Sequence, residues 1–242
     1  MQIRDFVLLF SFIILCTAGM NAQDEASVGG MQWGVKLGPS MGLKGGQSPL
    51  FRYHGVAFIE GGGNENSALF MSLGYHARGI APRYTNLFQQ PTIRTFSVPS
   101  VFHNISLSLG MKKKYEFKEN LKYYYMFAMR GEYTAKTNLP YLDIQNPQQQ
   151  GLINNTMFSN YVRRFNWGMD IGGGIERPIT ELITGFVEFT LSPDFSFQYR
   201  FANLGVSQNP TGTTNSVFTS GFKNLSMELS VGVRFWHKVI YE

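Results

Sequence analysis

The chain has 242 residues, of which 26 are glycine, 21 are phenylalanine and only 15% are charged. A single cysteine, Cys16, excludes a disulfide-stapled scaffold. The 21 Lys and Arg residues exceed the 16 Asp and Glu residues by five, but they are scattered and belong to no nucleic-acid motif, so no nucleic-acid partner is expected.

The first element in chain order reads as a targeting segment. Arg4 precedes an apolar run from Phe6 to Ala18, small or polar residues follow to Gln23, and Asp24 and Glu25 are acidic. This is the pattern of a secretory signal peptide, with cleavage expected after Ala22. The apolar run is shorter than the roughly 20 residues of a spanning helix. Leu15, not a small residue, precedes Cys16, which argues against a lipid anchor. The expected organisation is therefore residues 1–22 as signal peptide and 23–242 as one domain.

Eight strand-like segments follow. Residues two apart along a strand share a face. In the first segment Trp33, Val35, Leu37, Met41 and Leu43 alternate with Gly34, Lys36, Gly38, Ser40 and Gly42. The second, Phe51 to Glu60, is strand-like with ambiguous facing. The third sets Leu69, Met71, Leu73 and Tyr75 against Ser72, Gly74, His76 and Arg78. The fourth sets Ile105, Leu107, Leu109 and Met111 against Asn104, Ser106, Ser108, Gly110 and Lys112. The fifth sets Tyr123, Tyr125, Phe127, Met129 and Tyr133 against Tyr124, Ala128, Arg130, Glu132 and Thr134. The sixth sets Phe165, Trp167, Met169, Ile171 and Ile175 against Asn166, Gly168, Asp170, Gly172, Gly174 and Glu176. The seventh sets Ile183, Val187, Phe189 and Leu191 against Thr184, Glu188 and Thr190. The last sets Leu225, Met227, Leu229, Val231, Val233 and Phe235 against Ser226, Glu228, Ser230, Gly232 and Arg234.

The connections alternate in length. Gly61–Ser67, Tyr115–Leu121 and Glu176–Glu181 are short, whereas Gly79–Val98, Lys136–Asn160 and Ala202–Gly221 are long and rich in Pro, Asn, Gln and Thr. Short turns at one end and long loops at the other are the habit of outer-membrane barrels, with the short turns periplasmic.

Face chemistry separates this pattern from a soluble sandwich. One face is continuously apolar; the other is crowded with Gly and Ser yet carries charges of both signs. Gly and Ser fill a soluble core poorly. In lipid the apolar face points outward, and full backbone pairing forces closure. The fold class expected is all-β: an eight-stranded antiparallel up-and-down transmembrane β-barrel. An eight-stranded interior is filled by side chains, so Lys36, His76, Arg78, Lys112, Arg130, Glu132, Asp170, Glu188, Glu228 and Arg234 are expected to pair as a lumen charge network. Aromatics near the segment ends (Trp33, Tyr75, Tyr123, Phe165, Trp167, Phe235, Trp236) are expected at the headgroup level.

The stretches Trp33-Gly-Val-Lys-Leu-Gly, Leu73-Gly-Tyr-His-Ala-Arg-Gly79, Phe102-His-Asn-Ile-Ser-Leu-Ser-Leu-Gly110, Gly172-Gly-Gly-Ile-Glu176, Leu191-Ser-Pro-Asp-Phe195 and Ser230-Val-Gly-Val-Arg-Phe235 resemble the outer-membrane β-barrel proteins of Bacteroidota in the PorT-like porin group. The resemblance spans residues 23–242. It implies an outer-membrane location, and for some members a place in secretion or assembly machines. The chain departs from the pattern by continuing through Trp236 to Glu242, past the aromatic at which such barrels often stop.

Chemical constellations are sparse. A Ser nucleophile needs a base within hydrogen-bond reach. His103 with Ser106 or Ser108 is the only close pairing, and strand periodicity puts His103 on the opposite face from both. His76, Arg78 and Glu132 form a possible ligand cluster, read here as lumen pairing. The four histidines have no metal-ligand spacing. Gly172-Gly-Gly174 lacks the Lys-Ser/Thr of a phosphate loop and reads as a strand with small lumen residues, or a bulge. No cofactor, metal or catalytic residue is expected. The expected function is a non-enzymatic barrel in contact with outer-membrane lipid. Its long loops bind a partner or ligand, or it serves as an accessory subunit of an envelope complex. A small-solute channel and a lipid A-modifying enzyme are the alternatives.

Overall fold

The computed structural model describes residues 31–43, 48–61, 66–81, 83–86, 94–97, 99–118, 120–140, 159–209 and 212–236, with the backbone alone for 83–86, 94–97, 118, 201–209 and 212–220. The expected signal peptide and the residues after Trp236 lie outside them.

Eight strands form a closed barrel: β1 (Gln32–Leu43), β2 (Leu50–Gly61), β3 (Ser67–Ile80), β6 (Ser100–Lys118), β7 (Leu121–Thr137), β8 (Phe165–Pro178), β9 (Ile183–Pro193) and β12 (Leu225–Trp236). Two further hairpins stand outside the barrel order, β4 (Arg83–Asn86) with β5 (Arg94–Ser97) and β10 (Tyr199–Asn209) with β11 (Gly212–Phe222). Every barrel pair is antiparallel between neighbours in barrel order. Closure is made by β1 and β12, in register from Gln32 opposite Trp236 to Leu43 opposite Leu225. A closed ladder leaves no unpaired strand edge, which is the condition for a sheet in lipid. The shortest barrel strand, β9, has 11 residues, enough for a tilted strand to cross a bilayer, which takes about 9–11.

The two ends of the barrel differ. At one, here the turn end, lie Gly61–Ser67, the link from Lys118 to Leu121, the link from Pro178 to Ile183, and both barrel termini. Asn120 takes φ 65° in the second of these links, a left-handed conformation that Asn tolerates well. The opposite end, here the hairpin end, carries β4–β5, the β7–β8 connection and β10–β11.

Three expectations need correction. The expected loop Ala202–Gly221 is a paired ladder from Tyr199 opposite Phe222 to Asn209 opposite Gly212, and part of Gly79–Val98 is the β4–β5 ladder. Periodicity hid both, because a hairpin that faces neither lipid nor lumen has no reason to sort its residues by polarity. The turn expected over Tyr115–Leu121 is also tighter, since β6 runs on to Lys118. Most of Lys136–Asn160 lies outside the described residues.

The second segment, ambiguous in the sequence, points His54, Val56, Phe58 and Glu60 inward. On the outside stand large apolar side chains. Leu37 is 67% exposed, Leu73 58% and Val231 60%. Inside, Arg78 and Arg130 are only 2% exposed and Glu60 1%. Polar residues within and apolar residues without is the polarity of a barrel standing in lipid. Stacked or tilted aromatics mark both ends of the apolar band: Trp33 on Phe235 at 4.5 Å and Tyr115 on Tyr123 at 5.1 Å towards the turns, Tyr133 with Phe165 and Trp167 with Phe195, each at 5.0 Å, towards the hairpins.

Candidate functional site

The lumen is filled from end to end, and its levels follow from strand register. Nearest the turn end, Glu60 gathers three cations. Lys112 Nζ lies 3.0 Å from Oε2, Arg234 Nη1 lies 3.2 Å from Oε1, and Lys114 also pairs with it. Arg234 forks onto Glu176, with Nη1 to Oε2 at 2.9 Å and Nη2 to Oε1 at 3.0 Å. Such two-point contact suits the planar guanidinium. The Lys112 ammonium lies 4.4 Å from the Tyr124 ring centroid and within 5.8 Å of those of Phe58, Phe70 and Phe186. A cation this close to ring faces is attracted by their quadrupoles.

At mid-height Lys36 of β1 pairs with Glu188 of β9 over the intervening strand β12. Tyr124 Oη donates to Glu188 Oε2 at 2.8 Å, and Thr190 Oγ1 donates to Oε1 at 3.2 Å. Gly174 stands between Tyr124 and Glu188 in the register. A Cβ there would lie 2.7 Å from Tyr124 Oη, so the missing side chain is what lets the tyrosine reach across β8.

The largest cluster lies nearer the hairpin end. Arg78 Nη1 donates to Glu132 at 2.5 Å, and its Nη2 donates to Glu228 at 2.7 Å. His76 Nδ1 lies 2.9 Å from the same Glu228 oxygen and 3.2 Å from Arg78 Nη2. The His54 ring stacks on His76 at 5.6 Å. Arg130 contacts three carboxylates: Glu132 at 2.9 Å, Asp170 and Asp194. Ser108 and Ser192 donate to Asp170 at 3.1 and 2.7 Å. Gly168 plays on β8 the part that Gly174 plays lower down. A Cβ at 168 would sit 3.0 Å from Arg130 Nη2, on the path that the guanidinium takes to Asp194.

An apolar cap closes this end. Ile80, Phe102, Tyr199 and Phe222 are buried together, with Leu139, Tyr161 and Val162 against them. Gln198 Nε2 donates to Asn104 Oδ1 at 3.2 Å and Asn104 Nδ2 donates to Glu132 Oε2 at 3.0 Å, tying the cap to the charges.

All ten charge and histidine positions singled out in the sequence thus line the lumen and bond there. The structure adds Glu60, Glu176, Lys114, Asp194, His54 and Tyr124. Tyr124 and Glu176 already stand on the inward face of the alternation, and Lys114 follows from extending it by one residue pair past Lys112. Asp194 does not, because it lies beyond Pro193 and enters through an isolated bridge to Gly168.

The geometry also bears on catalysis. His103 faces outward, with Nδ1 2.6 Å from Tyr75 Oη, while Ser106 and Ser108 face inward. A second His–Ser contact, His54 Nε2 to Ser230 Oγ at 2.8 Å, is buried. Its nearest carboxylate, Glu228, lies 4.0 Å from that same Nε2, and Nδ1 has no hydrogen-bond partner. A triad needs the acid on the other ring nitrogen. Among the described residues no group of three or more His, Cys, Asp or Glu is placed to hold a metal ion.

No family model and no curated protein matches the chain. Among solved structures it is similar to Neisserial surface protein A, at 12% identity over 86% of this chain and 97% of that one, TM-score 0.47. It is also similar to outer membrane protein AlkL in lipid bilayers, at 12% identity over 91% and 96%, TM-score 0.46. A third likeness is to the outer membrane protease OmpT from Escherichia coli, at 9% identity over 90% and 100%, TM-score 0.42. At TM-scores below 0.5 these likenesses carry no weight of their own; the barrel rests on the strand pairing and face chemistry given above.

Proposed function

We propose that the protein is a non-enzymatic outer-membrane barrel whose lumen is a structural plug and whose hairpin end binds a partner or ligand. Both termini and the short turns face the periplasm, and the β4–β5 and β10–β11 hairpins face outside. The observation that carries this reading is the paired, capped lumen. Six Lys and Arg side chains (Lys36, Arg78, Lys112, Lys114, Arg130, Arg234) meet seven carboxylates (Glu60, Glu132, Asp170, Glu176, Glu188, Asp194, Glu228). Charges matched side by side support rigidity and leave little for a passing solute to replace. The stretches shared with the PorT-like group of Bacteroidota support placing the chain there, and with it a role as accessory subunit of an envelope complex.

Planar-bilayer recording tests the plug. Refolded protein inserted at high copy number is expected to stay silent. Stepwise conductance from the unmodified barrel would overturn the plug in favour of a small-solute channel. Isolation in mild detergent from native membranes is expected to bring a stoichiometric protein partner, and that partner is lost when the tip of the β10–β11 hairpin is replaced by a short linker.

A further inference from the structure

The charges of this protein are sorted by position. Among the described side chains the hairpin end carries six cations outside the paired lumen, namely Arg52, Lys136, Arg163, Arg164, Arg200 and Lys223, and no carboxylate. Among the described side chains the turn end is mixed, with Lys113, Lys122 and Arg177 against Glu116 and Glu181, and Lys122 pairs with Glu116 at 3.0 Å. Among the described side chains the positive charge outside the lumen is therefore concentrated at one rim.

Part of that rim is placed against the membrane interface. Arg163 and Arg164 immediately precede Phe165, which is 77% exposed and packs on Tyr133 at the edge of the apolar band. Lys136 is the cross-strand neighbour of His103, the residue bonded to Tyr75 in the same belt. Arg163 and Arg164 are exposed, as is Lys136, and none of the three makes an ion pair among the described residues. Arg164 Nη1 donates to the Thr134 and Ala135 carbonyls, each at 3.0 Å, which holds its head beside the strand of Lys136. Arg163 is tied by its backbone to Gln198, next to Tyr199 and Arg200 of the neighbouring hairpin. Aromatic belts sit at headgroup depth. A cluster of cations at that depth meets whatever charge the headgroups carry.

We propose that Lys136, Arg163 and Arg164 bind the phosphate groups of the glycolipid in the outer leaflet. Guanidinium forks match phosphate oxygens at two points, and the unopposed charge of the rim draws anions to it. The proposal rests on the outer-membrane reading above, and it gives that reading a specific lipid partner.

The test uses full-length mature protein refolded in detergent, with a heat-dependent gel shift recorded for every sample. Native mass spectrometry then compares retention of bisphosphorylated lipid A with that of the same lipid stripped of phosphate. The unmodified protein is expected to prefer the phosphorylated lipid. Lys136→Gln with Arg163→Gln is expected to weaken that preference by about thirtyfold, if each cation contributes as a Lys or Arg near an anionic membrane surface does. Arg164 is left in place because it also supports the end of β7. The charge-preserving pair Lys136→Arg with Arg163→Lys is expected to keep the preference. Equal retention of the two lipids by the unmodified protein overturns the proposal, and that comparison needs no variant. A preference that survives in the Gln variant overturns it as well. Equal lipid retention combined with rim-dependent binding of dextran sulfate assigns the patch to a soluble polyanion instead. Absence of the gel shift in the unmodified protein sinks the membrane reading itself; a shift without lipid preference sinks only this inference.

Discussion

Removing the Arg130 side chain offers the sharpest test of the lumen. Its guanidinium contacts Glu132, Asp170 and Asp194. Glu132 keeps Arg78 at 2.5 Å when Arg130 is gone, but Asp170 and Asp194 lose the only cation that lies within ion-pair distance among the described residues. Breaking a buried pair and stranding its partner typically costs about 3–5 kcal/mol. Arg130→Met is therefore expected to lose about that much. With a urea slope of about 2 kcal/mol/M, the unfolding midpoint falls by about 1.5–2.5 M. The assay is reversible urea unfolding in lipid vesicles, read as the fraction that migrates as folded on an unheated gel. Adding Asp170→Asn and Asp194→Asn to Arg130→Met removes the stranded charges and is expected to restore most of the loss, since neutral replacement of a buried ion cluster is often close to neutral. The reasoning is refuted if the triple variant is as unstable as the single one. It is refuted equally if Arg130→Met costs less than about 1 kcal/mol, the range of a solvated pair.

Other predictions concern the remaining surfaces. Val231→Arg, in the middle of the lipid face, is expected to destabilise the barrel in vesicles by about 2–4 kcal/mol; an unchanged urea midpoint would mean that this face meets water. Tyr124→Phe removes the donor to Glu188, and a loss of about 1–3 kcal/mol is expected in the same unfolding assay. Gly174→Val drives a side chain into Tyr124 and is expected to match or exceed that loss. Replacing residues 203–218 with a short Gly-Ser linker keeps Tyr199 and Phe222 in the cap, so the heat-dependent gel shift is expected to persist. Its disappearance would show that the hairpin is part of the fold.

Much of the barrel was legible because lipid and lumen impose opposite chemistry on alternate residues. In β12 each outward residue is apolar and each inward one is Ser, Glu, Gly or Arg, so the face assignment needed no structure. Strand β2 was opaque for a definite reason. Its inward side carries Val56 and Phe58, because the lumen at that level is an aromatic surround for Lys112, and the contrast between its faces disappears. The partners of the lumen charges were not legible either. Lys36 meets Glu188 because closure brings β1 to β12 and β12 to β9, a proximity no local pattern carries. Asp194 escaped because it follows Pro193 and enters the lumen outside any strand. The β10–β11 hairpin escaped because neither of its faces is sorted by a bilayer. The part of His103 was partly readable: periodicity separated it from Ser106 and Ser108, while its bond to Tyr75 needed the β3–β6 register.

The central claim is that the apolar face meets lipid and the charged face is enclosed. Refolding the chain into detergent and vesicles and comparing unheated with boiled samples by gel mobility tests it most directly. The barrel described here is expected to resist SDS at room temperature and to migrate differently until boiled. A protein that shows no shift and dissolves without detergent would have its two faces reversed, and the inside-out barrel would be wrong.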